Sequence, residues 1–182
     1  MRRFYQESWQ GIPFTSFSHI SFFHLAEPKF YAVFYEELFR RYKDWDDLPA
    51  QWRENKRKDA RWLVGQLRAK LVQEPSGRTE PVRVLSIGSG VGYMENVLLD
   101  EMPDLELHVS MRWLRQRVPN ERIYIGLPPA CLPADVRYDM IYLSTVDYGI
   151  PTREFAHLLS ELRAQLLPGG EIILLSASLL EE

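Results

Sequence analysis

"VLSIGSGVGYME", Val84 to Glu95, decides how the rest of the chain is read. A run of small and apolar residues meets glycines at 88, 90 and 92, and the chain then becomes helix-friendly. Glycine lets the backbone turn sharply and lets a ligand approach the main chain where a Cβ would clash. A strand that enters a helix through such a turn places it at the strand's carboxyl end, where open α/β sheets bind ligands. A dinucleotide fingerprint would need a further glycine at Tyr93, and a P-loop would need Gly-Lys-Ser/Thr; the sequence has neither. What remains is G-x-G-x-G. The competing reading is that the glycines only pack a strand against a helix, a task for which one glycine usually suffices.

Downstream, strand and helix patterns alternate. Val82–Ile87 reads as a first strand, "YMENVLLDEM" as a helix, and Leu105–Val109 as a second strand. "RWLRQRV" is a helical turn or two, Arg122–Gly126 a third strand and Tyr138–Ser144 a fourth. Thr152 is placed to cap a helix whose leucines at 158, 159, 162 and 166 form one apolar face. Pro168-Gly169-Gly170 is expected to stop that helix, and Glu171–Ser176 to be a fifth strand. Near-continuous apolar strands separated by helices imply a parallel sheet covered on both faces.

Upstream, the chain to about Val72 is crowded with aromatics, including Phe4, Tyr5, Trp9, Phe14, Phe17, Phe22 and Phe23. A helix beginning near Pro28 carries Phe30, Phe34, Leu38 and Tyr42 at a spacing near four. A second helix spans about Asn55 to Val72, with Trp62, Leu63, Leu67 and Leu71 on one face. "QEPSGRTEP", Gln73 to Pro81, reads as a connection. The division expected is a helical, aromatic cap over 1–75 and an α/β domain over 76–182.

The 182 residues suffice for a domain with a real core, and 46% of them are apolar. The net charge is −3, without the clustered Lys and Arg of a nucleic-acid binder, so no nucleic-acid partner is expected. "RENKRKDAR", Arg53 to Arg61, is broken by Glu54 and Asp59 and reads as a solvated helix face. Cys131 is the single cysteine; it is read as a small buried hydrophobe, and a reducing cytoplasm is the expected setting. No apolar stretch approaches the roughly 18 residues of a membrane span, and the N-terminus is too polar for a signal-peptide core.

With loop, strand order and "LLPGGEIILLS" taken together, Val82 to Ser178 resembles the class I S-adenosylmethionine-dependent methyltransferases, with "VLSIGSGVGYME" as their motif I. The resemblance implies a Rossmann-like sheet in the order 3-2-1-4-5. That sheet is normally completed by sixth and seventh strands, which the residues after Ser176 do not supply. It implies S-adenosyl-L-methionine as cofactor and no metal, and the aromatic cap favours a small-molecule acceptor. Gly88, Ser89, Gly90, Val91 and Gly92 would meet its methionine part, Leu127 and Pro128 its adenine, and Ser144 and Thr145 the region near the methyl group. Asp147 and Tyr148 would meet the acceptor, and His24, with His19, could serve as a base in the cap.

The family has an acid early in motif I, where this chain has Ser86, and another ending the second strand, where this chain has Val109 or Ser110. The second acid takes the ribose hydroxyls; a charged acceptor is worth roughly 1.5–3 kcal/mol. "HVSMRWLRQRV" has so few residues for leaving a strand, presenting an acid and starting a helix that residues, the ribose-binding acid among them, are expected to be missing near Ser110–Met111. The rival to an enzyme is a methyltransferase-like domain that binds or scaffolds without catalysis.

Overall fold

The computed structural model describes residues 8–9, 12–13, 36–73, 80–109, 117–126, 128–144, 146, 150 and 152–175. The chain forms two compact units, Met1–Glu54 and Asn55–Glu182. In the first, strands β1 (Ser8–Trp9) and β2 (Ile12–Pro13) pair antiparallel, and residues 36–41 are helical around the buried Leu38. The cap aromatics Phe4, Tyr5, Phe14, Phe17, Phe22 and Phe23, with His19 and His24, lie outside the described residues, as does the Trp9 side chain.

Helix α1 (Ala50–Gln73) runs through the division between the units and begins five residues before the expected start at Asn55. Its buried residues are Ala60, Leu63, Val64 and Leu67, the i, i+3, i+4, i+7 stripe of a helix with one apolar face. Trp62, expected on that face, is half exposed, because it lies about a quarter-turn away from Leu63.

The second unit is an α/β arrangement with a four-stranded, all-parallel sheet. Its strands are β3 (Arg83–Ile87), β4 (Glu106–Val109), β5 (Tyr138–Ser144) and β6 (Leu166–Leu175), in the order β4-β3-β5-β6. Helix α2 (Tyr93–Glu101) connects β3 to β4, and α3 (Thr152–Arg163) connects β5 to β6. The chain thus winds outward from β3 in one direction, returns, and winds out in the other. The reversal lies between β3 and β5.

Alternation along the strands assigns the two faces. Leu85, Ile87, Ile141 and Leu143 pack with Leu162 of α3, joined by Phe155, Leu158 and Leu159. Fully burying an aliphatic side chain of this kind contributes roughly 1.5–3 kcal/mol. Ser86 and Tyr142, one residue out of phase, face α2. Helix α1 lies along α2: Arg57 donates to the Tyr93 hydroxyl at 2.9 Å, and Arg68 to the Glu101 carbonyl at 3.0 Å.

Two expectations are corrected. The five-strand order 3-2-1-4-5 is not present among the described residues. The third strand expected over Arg122–Gly126 is reduced to one parallel bridge, Val109 to Ile123, on the outer edge of β4. A tight turn, Asn120–Arg122, immediately precedes it, and Gly126 follows with φ +148°, so too few extended residues remain for a ladder. Pro168-Gly169-Gly170 does not stop α3, which has ended at Arg163; it lies inside β6. Tyr138 pairs with Leu166 and Met140 with Glu171, so residues 167–170 bulge, with Gly169 at φ +75°. The carbonyls of Gly169 and Asp139 accept hydrogen bonds from the Lys70 ammonium of α1.

Candidate functional site

The carboxyl ends of β3 and β5 lie side by side at the point where the winding reverses, the usual crevice of an open α/β sheet. Gly88, Gly90 and Gly92 all have positive φ, at +78°, +56° and +74°. A non-glycine residue is disfavoured in each of these conformations. The turn closes with the Gly92 N–H donating to the Ser89 carbonyl at 2.8 Å. Gly92 is the N-cap of α2, and no side chain caps that end. Gly88, Ser89 and Gly90 are half-buried, whereas Val91 is buried and anchors the turn.

A Cβ at Gly88 would lie 2.3 Å from Val146 Cγ1 and 2.6 Å from the Ser144 carbonyl oxygen. Gly88 therefore serves close packing of β3 against the end of β5, the structural reading of that position. Ser144 itself is buried at the end of β5. Pro128 is half-buried. Leu127, Thr145, Asp147, Tyr148 and His24 lie outside the described residues.

Beneath the turn sits a group that sequence reasoning missed. Glu95, in the first turn of α2, is fully buried. Its Oε1 accepts from the Ser86 hydroxyl and from the Tyr142 hydroxyl, both at 2.6 Å; its Oε2 is buried without a hydrogen-bond partner. Burial pushes the carboxyl above the usual carboxylate range, and the two hydroxyls and Lys56 pull it down without offsetting that. When the group is protonated, the proton belongs on Oε2, since Oε1 is already accepting twice. Tyr142, raised by burial and by Glu95, remains a donor. Glu95 thereby ties α2 to both β3 and β5 directly under the glycines. A signal was available: Glu95 shares a helix face with Leu98, and Ser86 and Tyr142 point to the same side of adjacent strands.

A second polar group lies toward the amino ends of the strands. Arg83 Nε donates to Glu106 Oε1 at 2.7 Å. His108 Nε2 lies 3.0 Å from the same oxygen, and Nδ1 lies 2.7 Å from the Tyr124 hydroxyl. Burial raises the Glu106 pKa, but Arg83 and His108 outweigh it, and the carboxyl is held below its usual range.

For S-adenosyl-L-methionine the fit is partial. The turn places half-buried glycine backbone at the carboxyl end of the sheet, and no side chain caps the first turn of α2. The residue ending β4 is Val109, fully buried, and Ser110 lies outside the described residues. No acid therefore stands at that position among the described residues. Nor do three His, Cys, Asp or Glu side chains gather there as a metal site would need. Cys131 is half-buried rather than buried. No described helix is long and apolar enough to cross a membrane.

No protein-family model matches the chain, and no curated protein matches it. Among solved structures, the glycopeptide N-methyltransferase MtfA complexed with S-adenosyl-L-methionine matches with a TM-score of 0.45 at 18% identity. The match covers 65% of this chain, which spans about half (53%) of the length of that one.

Proposed function

We propose that the chain binds S-adenosyl-L-methionine at the Gly88–Gly92 turn and transfers its methyl group to a small-molecule acceptor. The observation that carries this reading is the trio of positive-φ glycines beside the point where the sheet's winding reverses. When bound, the cofactor supplies an electrophilic methyl group on a sulfonium. The work left to the chain is orientation and exclusion of water. Gly90 and the half-buried Ser89 backbone would receive the methionine part, with Glu95 fixing the turn from below. Leu127 and Pro128 would offer an apolar surface to the adenine, and Ser144 and Thr145 would border the methyl group. Asp147, Tyr148 or His24 would take a proton from the acceptor if it carries one. The aromatic cap over 1–75 and a cytoplasmic setting belong to the same proposal.

A non-catalytic binding module is the second reading, favoured by the buried Val109 where a ribose-binding acid would stand. A missing charged acceptor would weaken binding on the order of 10- to 100-fold without altering the fold. Titration calorimetry with S-adenosylmethionine and S-adenosylhomocysteine tests binding itself. Gly90→Asn is the informative variant, because asparagine tolerates left-handed backbone while adding bulk. Saturable heats in the wild type, lost in Gly90→Asn at an unchanged melting temperature, are expected. No heat from either ligand with the wild type would overturn the reading. Binding without methyl transfer to any of a panel of small nucleophiles would favour the module.

A further inference from the structure

The two hydrogen bonds that meet on Glu95 Oε1 differ in what they close. The Ser86 hydroxyl donates from β3, nine residues away along the chain, and the Tyr142 hydroxyl donates from β5, 47 residues away. The first bond closes a short ring, residues 86–95, with the whole glycine turn inside it. The second closes a long ring through α2, β4 and β5 that leaves the turn outside. A bond restricts the residues between its ends, and more per residue when they are few.

The residues inside the short ring need that restriction. Gly88, Gly90 and Gly92 all stand at positive φ, and glycine has the most backbone freedom to lose. The backbone bond from the Gly92 N–H to the Ser89 carbonyl spans the second half of the turn, and the buried Val91 side chain anchors it there. The Ser86–Glu95 bond joins the limbs outside both: Ser86 stands two residues before Gly88, and Glu95 three after Gly92. Both side chains are fully buried, and their bond is short, at 2.6 Å, so water does not compete for it.

We propose that Ser86 is a positioning residue: its hydrogen bond to Glu95 clasps the two limbs of the glycine turn and holds the turn in the shape that receives the ligand. The ligand part rests on the function proposed above, in which Gly90 and the Ser89 backbone receive the methionine part of S-adenosyl-L-methionine. Without the clasp the glycines sample other backbone conformations. Binding then has to order them first, which lowers affinity. The Tyr142 bond to the same oxygen has a different task, since it holds α2 to β5 and not the turn to itself. The clasp gives Ser86 a use of its own: a hydroxyl suffices on the β3 limb because the carboxyl comes from α2.

Ser86→Ala and Tyr142→Phe each remove one hydroxyl from the same oxygen and leave the other in place, so they separate the clasp from general loss of stability. Amide hydrogen exchange at Gly92, referred to the central amides of β5 to remove global unfolding, reads the turn without any ligand. Ser86→Ala should lower Gly92 protection about five- to tenfold, the scale of one hydrogen bond. Tyr142→Phe should leave it at the wild-type level. Glu95→Gln, which keeps an accepting oxygen for Ser86, should keep the protection as well. Equal loosening of Gly92 in Ser86→Ala and Tyr142→Phe, or none in either, overturns the clasp. S-adenosylhomocysteine affinity, measured by calorimetry on the same proteins, should fall in step with Gly92 protection. An affinity unchanged in Ser86→Ala while protection falls overturns the positioning role. Absence of binding by the wild type sinks the proposed function instead and leaves the clasp to be judged on exchange.

Discussion

Glu95 and Glu106 are both removed from solvent beside β3, one near its carboxyl end and one near its amino end, and their surroundings differ in kind. Glu95 meets two hydroxyls and keeps one oxygen unpartnered, with its pKa raised by burial. Glu106 meets a guanidinium and an imidazole, which overcome burial and lower it. The contrast teaches that hydrogen bonds from neutral hydroxyls do not offset the desolvation of a carboxylate, whereas a close cation does. The amino end is thereby a charged clamp. The carboxyl end, under the glycines, is a low-charge brace made of one carboxyl and two hydroxyls.

The strongest way to break the comparison is Glu95→Ala. It strands the Ser86 and Tyr142 hydroxyls in the interior and leaves a void. A loss of about 2–4 kcal/mol is expected in denaturant unfolding. A loss under about 1 kcal/mol would mean that Glu95 does not tie α2 to the sheet. Next is Glu106→Gln, which keeps the shape and removes the charge from the clamp. Its partly exposed partner moderates the cost to about 1–2 kcal/mol at neutral pH.

The smallest effect sharpens the contrast most. Glu95→Gln should be near neutral at pH 4.5 and should gain on the wild type as pH rises. Folded Glu95 holds its proton after the unfolded glutamate has released it, so wild-type stability declines upward through that window. Glu106 has the opposite sign: its contribution is present above pH 4.5 and lost below it, so Glu106→Gln should cost most at neutral pH. Unfolding curves of the two glutamine variants from pH 4 to 8 should therefore diverge. Parallel slopes would contradict the opposite directions of the two shifts.

The glycine turn was legible in the sequence because φ > 0 is a local demand that glycine meets most readily, and Gly88, Gly90 and Gly92 meet it where expected. Strand β5 was legible residue for residue, since a continuous apolar run between polar turns has one comfortable place in a parallel sheet. Other features were decided by tertiary context. "RIYIG" has strand composition, yet a strand needs a partner along its length, and only Ile123 reaches one. "LLPGG" has the composition of a helix stop, but β6 extends through it because a bulge absorbs the extra residues and Lys70 of α1 takes the freed Gly169 carbonyl. In the site, glycines could be read from type and spacing. Glu95 could not be read from its charge, which argues for solvent; only the register of Ser86 against Tyr142 reveals why it is inside.

The central claim is that the ligand sits at the carboxyl end of β3 and not at its charged amino end. Two-dimensional amide spectra recorded during titration with S-adenosylhomocysteine test this most directly. The account predicts saturable shifts at Gly88, Ser89, Gly90 and Gly92, with Arg83 and Glu106 unmoved. Saturable shifts centred on Arg83 and Glu106, or a titration that leaves the glycine amides where they were, would contradict it.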